Sequence, residues 1–179
     1  MQKLLILCLL GLASLSLVQC TKNNEAPDNG NTNTQVDTVG DNDYVDLGLI
    51  SMTLWKAINE KNPADEKHGF YTYEEAVAKF GKNLPTKKQF EELKNSCSWV
   101  WNSLGIYKVF GPNGNYILLP ASGCRDCNGE VAYNRTYGFY WSSTPDSPTK
   151  AWYLNFYSNE IYMYNNSRCY ENSVRLVKK

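Results

Sequence analysis

The spacing of apolar and polar residues predicts short strands, then two helices, and then a longer series of strands. Residues 44–47 and 53–57 alternate as half-buried strands do. Capping boxes, in which Thr is followed three residues later by Glu or Gln, mark helix starts at Thr72 and Thr86. From Tyr107 onward a period of two replaces the helical period. This order predicts an α+β fold.

The last third of the chain has the longest alternation, on two predicted strands joined by a turn at residues 158–160. Its apolar positions are Trp152, Leu154, Phe156, Ile161 and Met163. The positions between them are Tyr153, Asn155, Tyr157, Tyr162, Tyr164 and Asn166. Because side chains alternate between the two faces of a strand, a paired hairpin collects these six residues on one face.

The six residues of this Tyr/Asn face are the predicted ligand-binding residues. Tyr offers a rigid amphipathic surface, and Asn offers both hydrogen-bond donors and an acceptor. The apolar positions, with Trp152 and Phe156 among them, are predicted to enter the core, so the Tyr/Asn face is predicted to face solvent. The alternative interpretation is an ordinary solvated strand, because Tyr is a good strand former.

The N-terminal pattern predicts a bacterial lipoprotein. Lys3 precedes an apolar run at residues 4–18 that is too short to cross a bilayer core of about 30 Å. Residues 1–19 are therefore interpreted as a signal peptide and Cys20 as the lipidated residue, although Gln19 stands where a small residue is usual. Plain secretion is the alternative. This interpretation places the protein in the cell envelope, held to the outer membrane by its lipid, with the side of that membrane left open.

The composition predicts one domain behind a tether. Residues 20–43 comprise the lipidated Cys and a polar segment that lacks aromatic residues and is predicted to be a flexible spacer. Residues 44–179 are long enough for a single domain. The formal net charge of the whole chain is +0, with no basic patch, so no nucleic-acid partner is predicted.

Four cysteines remain after the signal peptide and the lipidated residue are set aside. In an oxidising envelope, Cys124 and Cys127 are predicted to form a disulfide across a short loop. Cys97 and Cys169 either pair with each other or leave Cys97 as a buried thiol.

No catalytic or metal-binding constellation is predicted. The chain has 1 histidine, His68, which leaves no partner set for a nucleophilic triad or a zinc site. The protein is therefore predicted to be non-enzymatic, with no cofactor and no metal.

Several short motifs together resemble the Fibrobacter succinogenes major paralogous (FISUMP) domain family of envelope lipoproteins. They are the segments 44–49, 54–55, 84–86, 97–101, 111–115, 119–123, 138–143 and 173–177. The resemblance implies a fold similar to C-type lectin-like and formylglycine-generating-enzyme domains, with two helices packed on a twisted antiparallel sheet. The chain lacks the Glu-Pro-Asn and Gln-Pro-Asp triplets of calcium-dependent lectins, and no thiol aligns with the catalytic cysteines of the enzymes.

The resemblance implies a non-enzymatic binding module whose ligand is a glycan or a protein at the cell surface. The alternative is a structural or accessory subunit of an envelope or fimbria-like assembly. Some related proteins are diversified by retroelements at Asn and Tyr codons, and the content of residues 158–169 is compatible with that history.

Overall fold

Short strands in four sheets, together with two helices, make up the part of the chain that the structure describes. The structure is a computed structural model and describes residues 43–179. The predicted signal peptide, Cys20 and nearly all of the predicted spacer lie outside the described residues. Within residues 43–179, no helix is long and apolar enough to cross a membrane.

The helices lie between the third and fourth strands. The elements in chain order are β1 (Tyr44–Asp46), β2 (Leu54–Lys56), β3 (Tyr71–Thr72), α1 (Tyr73–Phe80), a 3₁₀ turn (Gly81–Asn83), α2 (Lys87–Ser96), β4 (Ser98–Trp101), β5 (Ile106–Phe110), β6 (Tyr116–Pro120), β7 (Cys124–Arg125), β8 (Val131–Ala132), β9 (Gly138–Pro145), β10 (Lys150–Tyr157), β11 (Glu160–Ser167), β12 (Glu171–Asn172) and β13 (Val177–Lys178). The predicted α+β organisation is confirmed at this level.

The strands pair in antiparallel fashion in each sheet. The orders are β1-β2-β13, β4-β5-β6, β11-β10-β9 and β3-β12-β7-β8. Strand β10 is the central strand of its sheet, because β9 and β11 lie on its two sides. This position decides how much of the predicted Tyr/Asn face reaches solvent.

Both predicted helix starts are confirmed. The Thr72 hydroxyl accepts a hydrogen bond from the Glu75 backbone N–H, and the Glu75 carboxylate accepts one from the Thr72 N–H. Thr86 and Gln89 form the same reciprocal pair before α2. Helix α1 ends at Phe80 and is capped by Gly81, whose positive φ of 49° suits a residue without Cβ. The local sequence therefore determines where the helices begin.

Two apolar clusters lie on opposite faces of β10. Leu154 and Phe156 belong to the first cluster, together with Phe90 of α2. Ala151 and Tyr153 belong to the second, which also contains residues of α1. Since β10 is covered on both faces, its alternating pattern does not separate a core face from a solvent face.

A buried arginine joins the C-terminal segment to two other parts of the domain. The Arg175 guanidinium donates to the backbone carbonyls of Lys56, Ala57 and Leu118, at 2.8, 2.6 and 2.6 Å. It also donates twice to Oδ1 of Asn59, at 2.9 and 2.7 Å. Burial lowers the pKa of Arg175 to about 10, which leaves the group charged at neutral pH.

Candidate functional site

The hairpin β10–β11 has the predicted register. Tyr153 pairs with Tyr164, Asn155 pairs with Tyr162, and Asn166 lies opposite Ala151. Residues that pair directly across an antiparallel hairpin point to the same face. Tyr157 lies on that face too, since it is two positions from Asn155 on the same strand. The six Tyr and Asn residues therefore share one face, as predicted.

The prediction that this whole face points to solvent is wrong for strand β10. Tyr153 is 5% exposed and packs in the second apolar cluster, and Asn155 is buried beside it. The Tyr/Asn face of β10 is covered by residues from β7, β12 and the segment before β9. The face opens to solvent at the end of β10, where Tyr157 is half-buried, and along the outer strand β11, where Tyr164 is 58% exposed. Tyr153 therefore contributes to stability as well as to the surface.

The prediction that Trp152 is a core residue is also wrong. Its side chain is half-buried and belongs to neither apolar cluster. The Lys87 ammonium lies 3.4 Å from the centre of its ring, in a cation–π contact. Trp152 is near the end of β10, where α2 covers the sheet with charged side chains instead of apolar ones.

A cavity of about 290 Å³ opens beneath the Tyr/Asn face. The side chains around it are aromatic rings, carboxamides and one thiol. Its lining residues are Cys124, Tyr133, Tyr137, Phe139, Tyr153, Asn155, Asn166, Tyr170 and Asn172. Among the described residues, the lining includes no Asp, Glu, Lys, Arg or His, and burial raises the pKa of the Cys124 thiol to about 11. We call this site the aromatic cavity.

The rings of the aromatic cavity are in contact with the rings of the hairpin. Tyr137 stands at the centre, with its ring 5.2 Å from Tyr133, 6.0 Å from Phe139 and 5.1 Å from Tyr157, measured between ring centres. The Phe139 ring lies 5.8 Å from Tyr153. These distances are those of favourable aromatic pairs. The cavity and the hairpin face therefore form one continuous aromatic surface.

That surface extends outward along β11. Tyr153 contacts Tyr164 at 6.3 Å, and Tyr164 contacts Tyr162 at 6.2 Å, both with nearly perpendicular rings. Burial raises the pKa of Tyr153 and of Tyr162, so both phenols remain neutral hydrogen-bonding groups. The exposed Tyr164 and the half-buried Tyr162 thus form the rim of the aromatic cavity.

The segment between β8 and β9 is held in place by its backbone. Tyr133 has a positive φ of 64°, and the Tyr137 N–H donates to the Tyr133 carbonyl at 3.0 Å. Gly123 donates to the Tyr137 carbonyl at 2.9 Å. A Cβ at Gly123 would lie 2.1 Å from the carbonyl oxygen of Ala132, so only glycine fits there. This close approach places Tyr133 and Tyr137 at the cavity.

The three asparagines of the cavity have different hydrogen bonds. The Asn155 amide donates to the Gly138 carbonyl at 3.0 Å, which fixes it to β9. Oδ1 of Asn166 accepts from the Ser167 N–H at 2.8 Å. Asn172 is 2% exposed, and its Oδ1 has no hydrogen-bond partner among the described residues. A buried acceptor left in this state costs free energy.

A charged cluster lies on the other face of the strands that support the cavity. Arg125 donates to Glu171 across the β7–β12 pair, and its other amino group lies 3.1 Å from the Asp65 carboxylate. His68 Nδ1 lies 3.1 Å from Asp65. Burial alone raises the pKa of Asp65, but hydrogen bonds from Arg125, His68 and the Phe70 N–H outweigh it, so the pKa is lowered. This cluster ties β7 to β12 and so supports the cavity wall.

The predicted disulfide between Cys124 and Cys127 is wrong. Cys127 is bonded to Cys169, 42 residues further along the chain. Cys124 lies in β7 and lines the cavity as a buried thiol, whereas Cys127 lies in the following turn and reaches the segment between β11 and β12. Closing a loop of that length stabilises the fold by ~4 kcal/mol in the chain-entropy treatment. The proposed pairing of Cys97 with Cys169 is excluded as well.

We expect peptide mapping to confirm the Cys127–Cys169 bond. Trypsin cleaves after Arg125 and Arg168, so Cys124, Cys127 and Cys169 fall on separate peptides. The unreduced digest should contain the Cys127 and Cys169 peptides joined together. A linked pair that contains Cys124 would contradict the structure.

The two thiols, Cys97 and Cys124, should resist alkylation in the folded protein. Burial raises the pKa of both to about 11, so only on the order of one thiol in a thousand is ionised at pH 8. Iodoacetamide at that pH should modify the buried Cys124 only after unfolding, and the half-buried Cys97 should react more slowly than a free thiol.

The sequence-based prediction missed five of the nine residues that line the cavity. Tyr133, Tyr137 and Phe139 lie in a segment with no long alternation, and Tyr170 and Asn172 follow the predicted hairpin. The signal available was the density of aromatic residues between residues 133 and 141. A high density of aromatic residues indicates either a buried core or a binding surface and does not distinguish between the two.

Comparison with known protein families gives a match to the C-terminal part of the chain. A family described as a domain of unknown function (DUF8237) matches residues 111–177. This stretch includes the β10–β11 hairpin and every residue that lines the aromatic cavity. None of the curated proteins and none of the solved structures matches the chain.

Proposed function

We propose that this protein is a membrane-anchored envelope lipoprotein that binds a glycan or a surface protein without catalysing a reaction. The observation that supports this most is the aromatic cavity together with its exposed tyrosine rim. Ligand sites are concave, mostly apolar and equipped with a few fixed polar groups. The cavity combines five aromatic rings with three carboxamides, which fits that description.

The exposed rim supports recognition of a large partner. Tyr164 and Tyr133 are more than half exposed, and their rings extend the buried ring cluster to the surface. Tyrosine gives a large contact area for little lost side-chain entropy and is enriched at binding hot spots. A glycan or a folded protein can therefore contact the rim while one group enters the cavity.

The wider assignment rests on the sequence motifs. We propose membership of the FISUMP domain family and a C-type lectin-like fold. Two helices with antiparallel sheets support that fold at the level of architecture. The proposal places the binding site in the last third of the domain, where the cavity and the hairpin lie.

The binding surface is tested by a double variant, Tyr162→Ala with Tyr164→Ala. Each tyrosine at the centre of an interface is worth on the order of 1 to 2 kcal/mol, so the double variant should bind at least about tenfold more weakly. Binding is measured on a glycan array and by pull-down of surface proteins. The matched control is Tyr116→Ala, which removes a 46% exposed tyrosine from β6.

Both variants should keep the wild-type melting temperature. Equal binding by the double variant and the control would contradict the proposed surface.

Anchoring is tested by Cys20→Ala. Several acyl chains hold a protein stably at a membrane, whereas a chain without them has no anchor. The variant should move from the detergent phase to the soluble fraction, and Cys8→Ala is the control because it changes a cysteine within the predicted signal peptide. Retention of Cys20→Ala in the detergent phase at the wild-type level would contradict lipid anchoring.

A further inference from the structure

The aromatic cavity contains a buried acceptor that the folded protein does not use. Oδ1 of Asn172 and Nε1 of Trp55 are the two buried side-chain polar atoms without a hydrogen-bond partner in the described part of the chain. Trp55 lies in the first apolar cluster, whereas Asn172 lines the cavity. Native proteins satisfy nearly all such groups, so an exception in a cavity points to a missing partner.

The missing partner must bring a hydrogen-bond donor. A carboxamide oxygen accepts hydrogen bonds and does not donate them. The neighbouring Asn155 differs, because its amide is already bound to the Gly138 carbonyl. Asn172 and Asn155 can therefore be compared as two carboxamides of the same cavity. The Asn172 oxygen has no hydrogen-bond partner among the described residues, whereas the Asn155 amide has one.

The missing partner must also not be an anion. No positively charged side chain lines the cavity among the described residues. A buried anion without an opposite charge is strongly unfavourable, and the faces of the aromatic rings are negative. A carboxylate or a phosphate group therefore does not fit this site.

The size of the cavity limits the occupant to one small unit. Pockets for drug-sized ligands range over about 300–1,000 Å³, and the aromatic cavity, at about 290 Å³, lies at the lower end. A single sugar ring combines hydroxyl or amide donors with C–H faces that pack against the electron-rich faces of aromatic rings. An uncharged sugar ring meets each of the three requirements.

We infer that the aromatic cavity binds the uncharged terminal sugar of a glycan, with Asn172 Oδ1 accepting a hydrogen bond from a sugar hydroxyl or acetamido N–H. This inference rests on the proposed binding function and narrows it to one ligand class. Tyr164 and Tyr162, at the rim, contact the next part of the glycan chain.

The test begins with the full-length protein in a detergent that has no sugar headgroup. The probe is a printed array of glycans that end either in neutral sugars, such as N-acetylglucosamine, galactose and mannose, or in acidic ones, such as glucuronate and sialate. We expect binding to neutral ends. Preference for acidic ends would overturn the inference and leave the proposed binding function intact.

The second arm compares Asn172→Leu with Asn155→Leu by array binding and by melting temperature. Asn172→Leu removes an unsatisfied acceptor, so it should weaken binding at least about tenfold without lowering the melting temperature. Asn155→Leu removes a hydrogen bond that the folded protein uses, so it should lower the melting temperature. If Asn172 instead has a structural role, Asn172→Leu should lower the melting temperature at least as much as Asn155→Leu does. That result would overturn the inference.

The remaining outcomes separate the two proposals. If the rim tyrosines capture a surface protein and no glycan binds, the sugar inference is wrong and the binding function stands. If the full-length protein binds neither the array nor any surface protein, both are wrong.

Discussion

Replacing Arg175 with Leu is expected to lower the free energy of unfolding by about 3–5 kcal/mol, or to prevent folding. Arg175 is 1% exposed and makes five hydrogen bonds from its guanidinium group. Leu would leave the carbonyls of Lys56, Ala57 and Leu118, and Oδ1 of Asn59, without this donor. Each unsatisfied buried acceptor costs about 1–3 kcal/mol.

Arg175→Lys should lose nearly as much stability, because an ammonium group cannot reproduce the planar fork of donors. The control is Arg135→Leu, whose side chain is exposed and which should change stability by no more than about 0.5 kcal/mol. Urea unfolding followed by far-UV circular dichroism measures all three. A loss of less than about 1 kcal/mol for Arg175→Leu would contradict the central role of this residue.

Replacing Phe156 with Ala is expected to cost about 3–5 kcal/mol. Phe156 is fully buried, and its ring contacts Tyr107 at 5.3 Å and Tyr140 at 5.7 Å. A Cβ built on Gly138 would lie 2.1 Å from the Phe156 ring, which shows how closely β9 approaches it. Few neighbours can move to fill the space, so a cavity remains.

Trp152→Ala is the matched comparison, because it removes a larger ring from the same face of β10. Trp152 is half-buried and outside both apolar clusters, so it should cost clearly less than Phe156→Ala in the same urea titration. A larger loss for Trp152→Ala than for Phe156→Ala would contradict the burial of Phe156 in the core and the position of Trp152 outside it.

Local sequence signals predicted the elements well. The capping boxes at Thr72 and Thr86 place both helix starts, because those contacts involve residues only three apart. The alternation around Tyr153 and Tyr164 also predicted which residues of the hairpin share a face, because successive side chains of a strand point to opposite faces.

Long-range packing could not be predicted from those signals. The alternation in β10 marks two faces, but β10 is the central strand and both faces are covered, so Tyr153 is buried where solvent was expected. The Cys127–Cys169 bond depends on the close approach of two turns that are 42 residues apart. Cys124 and Cys127 were predicted to pair because they are close in sequence. In the structure Cys124 lines the cavity, whereas Cys127 lies in the turn that follows β7.

The cavity was only partly predictable for the same reason. Its Tyr153, Asn155 and Asn166 were selected from the hairpin pattern, while Tyr137 and Asn172 come from separate segments that the fold brings to the same place. No spacing rule connects these segments. Only the packing of β7 and β12 against the hairpin sheet shows that one site exists.

The most direct test of the binding site is to observe the cavity itself during ligand binding. Full-length protein labelled with ¹⁵N-asparagine is titrated with a neutral-ended glycan selected on the array, while the side-chain amide signals are recorded by NMR. We expect the signals of Asn166 and Asn172 to shift with a single saturating curve, and that of Asn113, in the turn before β6, to stay fixed. Saturating binding that leaves the Asn166 and Asn172 signals unchanged would contradict the aromatic cavity as the binding site.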